Sequence, residues 1–69
     1  MFVDKWGKEV RNCRKQNGRE TTYSVTVTGG EKLFQIQTYG LDGTVKQIIQ
    51  FDKQRAAELV GILEQEFGL

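Results

Sequence analysis

The side chains able to do chemistry in this 69-residue chain are a cluster of lysines and arginines near its start, one tyrosine and one lysine on an alternating stretch further on, and a single cysteine. No histidine occurs, which removes every His-dependent catalytic arrangement and disfavours a first-row transition-metal site. Cys13 cannot form an internal disulfide, and although it lies near Arg11 and Arg14, no base or resolving cysteine accompanies it. Glu58, Glu64 and Glu66 fall away from the apolar positions of their segment, as a solvated face does. Gly29-Gly30 and Asp42-Gly43 join strand-like stretches and precede no helix, so neither is a phosphate loop. The expectation is a protein that is not an enzyme and uses no cofactor or metal.

The basic residues point instead to binding. Lys5, Lys8, Arg11, Arg14, Lys15 and Arg19 stand against only Asp4 and Glu9 in the first 19 residues, whereas the remainder holds four basic groups against seven acids. A basic end on a mildly acidic body is expected to meet an anionic partner. Clustered charge that only keeps a small protein soluble is the plainer alternative.

The elements that would position these groups follow from apolar spacing. Residues 33 to 51 alternate apolar and polar on both sides of Asp42-Gly43, which predicts a β-hairpin closed by a two-residue loop, with a four-residue loop preserving the same faces. Neighbouring strand side chains point to opposite faces. One face therefore carries Phe34, Ile36, Val45, Ile49 and Phe51, and the other carries Gln35, Gln37, Tyr39, Lys46 and Gln50. Gly29-Gly30 predicts a turn into a preceding strand over residues 20 to 28, with Tyr23, Val25 and Val27 on the apolar face, Val25 opposite Phe34 and Tyr23 opposite Ile36. Asn17-Gly18 predicts a further turn, and a strand from about Lys8 to Gln16 would then set Val10 opposite Val25 and Lys15 opposite Glu20. After Phe51 the period lengthens to about 3.6. Asp52 is placed as an N-cap, Ala56, Leu59, Val60, Leu63 and Phe67 form an apolar stripe, and Gly68 is placed to end the helix. Ile62 lies outside the centre of that stripe. The fold class expected is α+β: a four-stranded antiparallel meander followed by a C-terminal helix (ββββα) whose stripe packs on one sheet face, in one domain over residues 1 to 69.

The polar sheet face then mixes cations and amides with Tyr39 and the apolar Leu33 and Ile48. Bases of single-stranded nucleic acid stack on aromatic and flat apolar side chains while Lys and Arg track the phosphates, so single-stranded nucleic acid is the expected partner. Candidate contacts are Arg11, Arg14, Lys15, Gln37, Tyr39 and Lys46. Trp6, between Lys5 and Lys8, is read either as a structural residue at the sheet edge or as a stacking residue in a basic arm, and is carried as a further candidate contact.

Tyr23-Ser-Val-Thr-Val-Thr-Gly-Gly-Glu-Lys-Leu-Phe-Gln-Ile-Gln-Thr-Tyr39, together with Lys46-Gln-Ile-Ile-Gln-Phe-Asp52 and the helix after it, resembles the positive cofactor four family of transcriptional coactivators and the wider Whirly-like single-stranded DNA-binding group. The resemblance implies a homodimer that packs helices together and cradles single-stranded DNA on curved sheets, with Tyr39 as a stacking residue and Lys46 as a phosphate contact. A role in transcription or replication follows as an expectation. The chain departs from the family pattern in the short Leu41-Asp42-Gly43 loop, which holds no basic residue, and in Gln47, where the family has a glycine.

A chain this short has a thin core, and small domains without disulfides or metals often gain stability by oligomerising, so a homodimer is expected on size as well. No stretch approaches the ~18 apolar residues of a membrane span, and the chain start lacks a signal peptide's layout. A soluble, cytoplasmic protein is the expectation. The alternative function is a protein-interaction module or small regulator acting through its helix or sheet face.

Overall fold

The computed structural model describes all 69 residues and contains three antiparallel strands followed by one helix. The strands are β1 (Thr21–Thr28), β2 (Glu31–Tyr39) and β3 (Val45–Phe51), in the spatial order β1-β2-β3, and the helix is α1 (Lys53–Phe67).

Gly29 and Gly30 both have positive φ, 57° and 77°, the conformation that lets a two-residue loop follow the twist of its flanking strands. The expected register results, with Val25 opposite Phe34 and Tyr23 opposite Ile36. The second hairpin reaches its expected register by a different route. Gly43 N–H donates to the Gly40 carbonyl and Gly40 N–H donates to Thr44, so the loop is Leu41-Asp42-Gly43, with Gly43 at φ 82°. Three residues in the loop offset the pairing by one, and a bulge at Lys46 absorbs the offset: Tyr39 opposes Val45 while Thr38 opposes Gln47. Beyond the bulge Ile36 faces Ile49 and Phe34 faces Phe51, as the alternation requires.

The expected strand over residues 8 to 16 does not form, nor does the Asn17-Gly18 hairpin, and the meander has three strands, not four. That segment carries a charged or amide side chain at nearly every position, and its two apolar residues, Val10 and Cys13, are three apart. It has no apolar face to bury, so nothing offsets the entropy of ordering it. Val10 and Cys13 are exposed. The start of the chain pairs elsewhere. Phe2 forms a parallel bridge to Gln50, Val3 N–H donates to the Gln50 carbonyl at 2.8 Å, and Gln50 N–H donates to Met1 at 2.8 Å. These residues occupy the outer edge of β3, and the outer edge of β1 is left unpaired.

The helix has the expected caps. Asp52 accepts from Arg55 N–H at 2.9 Å, and Gly68, at φ 67°, donates its N–H to the Glu64 carbonyl. Its packing differs from expectation: no residue of α1 is buried, and Val60, Leu63 and Phe67 are exposed, so the stripe does not cover the sheet. With only Asp52 between Phe51 and Lys53, the helix leaves from the end of β3 with too little chain to turn back across the sheet. Its first turn reaches the start of β2 and leaves an open wedge of about 380 Å³, lined by Val25, Phe34 and Phe51 on the sheet and by Lys53 and Ala56 on the helix.

The buried residues are Val3, Leu33 and Phe51, the last two only 7% and 4% exposed. Aromatic rings run across the sheet to Phe51: Tyr23 stacks on Phe34 at 5.3 Å, Phe34 meets Phe51 at 5.4 Å, and Trp6 sets its edge against Phe51 at 5.9 Å.

Candidate nucleic-acid interface

Alternation places Thr22, Ser24, Gln35, Gln37, Tyr39, Ile48 and Gln50 on one side of the sheet, and their polar atoms are joined across strands. The Tyr39 hydroxyl shares a hydrogen bond with Thr22 Oγ1 at 2.8 Å, Ser24 Oγ donates to Gln37 Oε1 at 3.1 Å, and Gln50 Nε2 donates to Gln35 Oε1 at 2.7 Å. Gln35 and Gln50 stand directly opposite, about 5 Å apart, whereas Thr22–Tyr39 and Ser24–Gln37 are diagonal neighbours, which long side chains still reach. These bonds hold Tyr39 and Gln37, both half-buried, in fixed orientations.

At the hairpin end of this face lies an open cleft of about 430 Å³, lined by Arg19, Glu20, Thr22, Tyr39, Gly40 and Gly43. The Lys46 side chain packs against Gly40, where a Cβ would stand 2.5 Å from Lys46 Cε, and lines a neighbouring groove with Met1, Gln47, Ile48 and Ile49. The ion pairs of the chain are Lys8–Glu66, Arg11–Glu9 and Arg55–Glu58, so neither Arg19 nor Lys46 is neutralised by a carboxylate. Glu20 is the acid in the cleft lining, and Asp42 lies in the adjoining loop between Gly40 and Gly43. The Asp42 carboxyl is held below its ordinary pKa, chiefly by the Thr44 hydroxyl that donates to Oδ1 at 2.7 Å and also by the Thr44 N–H at 3.1 Å.

The structure therefore brings together Gln37 and Tyr39 among the residues singled out from the sequence, with Lys46 at the bulge beside Gly40 and lining a neighbouring groove. It does not add Arg11, Arg14 and Lys15 to them, because the strand pairing that would set these beside Thr22 and Ser24 is absent. All three are exposed in the irregular arm, and Arg11 Nη2 pairs with Glu9 at 2.6 Å. Trp6 is a packing residue: its indole rests on Phe51 and its Nε1 donates to the Arg55 carbonyl at 2.9 Å. Arg19 is the cleft residue that the spacing argument passed over. The signal for it was its position two residues before the first residue of a strand that begins with Thr21 and Thr22.

No family model, curated protein or solved structure matches the chain. No group of three or more His, Cys, Asp or Glu residues lies together as metal ligands would, and no helix is long and apolar enough to cross a membrane.

Proposed function

We propose that this chain is a non-enzymatic binding protein for single-stranded nucleic acid that acts as a homodimer. It engages the phosphate backbone through Arg19 and Lys46 and one base through Tyr39. The observation that carries the reading is a tyrosine ring fixed by the Thr22 hydroxyl at 2.8 Å, in a cleft with an unpaired arginine on its wall and an unpaired lysine packed against Gly40 at its edge. Stacking on such a ring tolerates any base, and two cations without carboxylate partners gain from contact with phosphate. The exposed cations of the arm, Arg14 and Lys15 among them, extend the contact along the strand. The resemblance to the positive cofactor four family supports the same reading and favours DNA and a role in transcription or replication.

Titration of fluorescent oligo-dT at two ionic strengths tests it. Affinity is expected to fall steeply with salt, and absence of binding at low salt would overturn the reading. Tyr39→Ala is expected to weaken binding about 5- to 150-fold at either salt, the range for loss of one base stack. Arg19→Ala should lower the log–log salt slope by roughly 0.7, the value for one phosphate contact on a single strand.

A second reading, a protein-interaction module, is favoured by the apolar side of the sheet, where Tyr23, Val25 and Val27 are exposed. Capture of a partner protein that resists nuclease and high salt would favour it over the first.

A further inference from the structure

The chain exposes far more surface than a closed fold of its size. Its accessible area is 6263 Å², whereas a compact monomer of this mass exposes about 4,400 Å². Its radius of gyration is 14.0 Å, against about 11 Å for a compact chain of this length. Part of the difference belongs to the irregular arm of residues 4 to 20. Another part lies on two apolar surfaces that no other element covers. On the sheet, Tyr23 is 71% and Val27 68% exposed, with Val25 beside them; on the helix, Phe67 is 73% exposed, in line with Val60 and Leu63.

These two surfaces do not meet within one chain. The Asp52 cap and the hydrogen bond from Trp6 to the Arg55 carbonyl fix the first turn of α1, and a single residue separates it from β3. A neighbouring side of the helix is already in use, since Trp6, Lys8, Ile62 and Glu66 line one groove and Lys8 Nζ pairs with Glu66 at 3.0 Å.

We infer that a second copy of this chain covers both surfaces by reciprocal exchange: the Val60, Leu63 and Phe67 stripe of each helix lies on the Tyr23, Val25 and Val27 face of the other subunit's sheet. This gives a location to the homodimer of the proposed function. A two-fold axis makes such a contact isologous, so each chain contributes one helix and one sheet face and both are covered at once. The surface excess is about 1,800 Å² per chain, arm included, and about half of it on these two surfaces would match the roughly 800 Å² per partner that a stable interface buries. The wedge between Ala56 and Val25 is the space into which the incoming helix end fits. The charges also agree: Lys32, opposite Val27 on the same face, and Glu64, on the helix, have no ion pair within their own chain.

The test uses the full chain with Cys13→Ser. Light scattering on the eluting protein should give a dimer mass at micromolar concentration; a monomer mass would overturn the inference together with the homodimer. Val27→Cys chains mixed with Leu63→Cys chains should oxidise to a mixed disulfide dimer in preference to either self-linked form. A dimer that instead links through Thr26→Cys across two β1 edges, or through Leu63→Cys alone, would overturn the exchange and leave the homodimer standing. Phe67→Ala, at an exposed helix end where folding is not at stake, should weaken dimerisation at least about tenfold. Unchanged dimerisation would overturn the inference. Oligo-dT binding is read separately, so loss of one reading is visible without loss of the other.

Discussion

Trp6 Nε1 donates to the carbonyl oxygen of Arg55 at 2.9 Å, a contact spanning 49 positions, and the same indole sets its edge on Phe51, the most buried residue of the chain. An arm without regular structure is thereby tied to both the sheet and the helix. The two contacts separate by substitution. Trp6→Phe keeps an aromatic edge on Phe51 and loses the donor, so it should cost about 1 kcal/mol. Trp6→Ala loses both and should cost about 3 kcal/mol. Urea unfolding followed by circular dichroism measures both, and equal losses would show that the hydrogen bond contributes nothing.

The hairpins and the helix were legible because each rests on local chemistry. Gly29-Gly30 has one conformation suited to a two-residue loop, and Asp52 and Gly68 bracket a stripe at helical spacing. The Leu41-Asp42-Gly43 turn shows how a correct register can rest on an incorrect loop: three loop residues in place of two displace the pairing, and the bulge at Lys46 returns it, so Phe34 still meets Phe51. Alternation on either side constrained the answer more strongly than the turn did. The arm was misread because Asn17-Gly18 is a turn signal with no alternating segment before it. The parallel bridge of Phe2 to Gln50 had no legible signal, since two residues carry no period. In the candidate site, Tyr39 and Gln37 lie on the face that alternation assigned them, whereas the bulge sets Val45, expected on the Phe34 face, opposite Tyr39 and leaves Lys46 unpaired; Arg19 was not found, because it precedes the strand and has no face to share.

Gly43 holds φ 82° at the end of the three-residue loop, where a side chain is strained whatever space surrounds it. Gly43→Ala should destabilise the protein by about 1 kcal/mol, and Gly43→Asn by less, because asparagine tolerates the left-handed region better. Thermal unfolding of the two variants should rank them in that order. Equal stability of Gly43→Ala and the parent chain would contradict the loop described here.

Asp42 titrates in the same loop. Its carboxyl is held below the ordinary value by the Thr44 hydroxyl and N–H, so the charged form is the one the fold favours. A depressed carboxylate contributes stability above its unfolded pKa and loses it as pH falls through the lower folded pKa. The Thr44 amide resonance should therefore shift along an acid titration with a midpoint below that of an unstructured aspartate. In Asp42→Asn that titration should vanish, with the loop retained. A midpoint at the ordinary value would show that the Thr44 contacts are not made in solution.

The Tyr39 hydroxyl and ring have separate duties. The hydroxyl meets Thr22 Oγ1 and orients the ring; the ring supplies the stacking surface. Tyr39→Phe removes one half-buried hydrogen bond, worth about 1 kcal/mol of stability, and leaves the π-face. Oligo-dT affinity should then fall less than about threefold, whereas Tyr39→Ala should fall by the full stacking contribution. If Tyr39→Phe and Tyr39→Ala weaken binding equally, the hydroxyl, and not the ring, makes the contact.

Gly40 tests Lys46 without altering its charge. A Cβ at this position would stand 2.5 Å from Lys46 Cε and 3.1 Å from Asp42 Oδ1. The lysine end is flexible and can swing away, and the carboxylate needs to move only a few tenths of an ångström, so Gly40→Ala should cost no more than about 1 kcal/mol. The ammonium, however, is displaced from its place beside Gly40. The log–log salt slope for oligo-dT should drop by roughly 0.7, as it should for Lys46→Ala, although every charge of the protein is still present. A slope that falls only in Lys46→Ala would mean that the lysine reaches phosphate from elsewhere, and the cleft at Gly40 would not be where the strand lies.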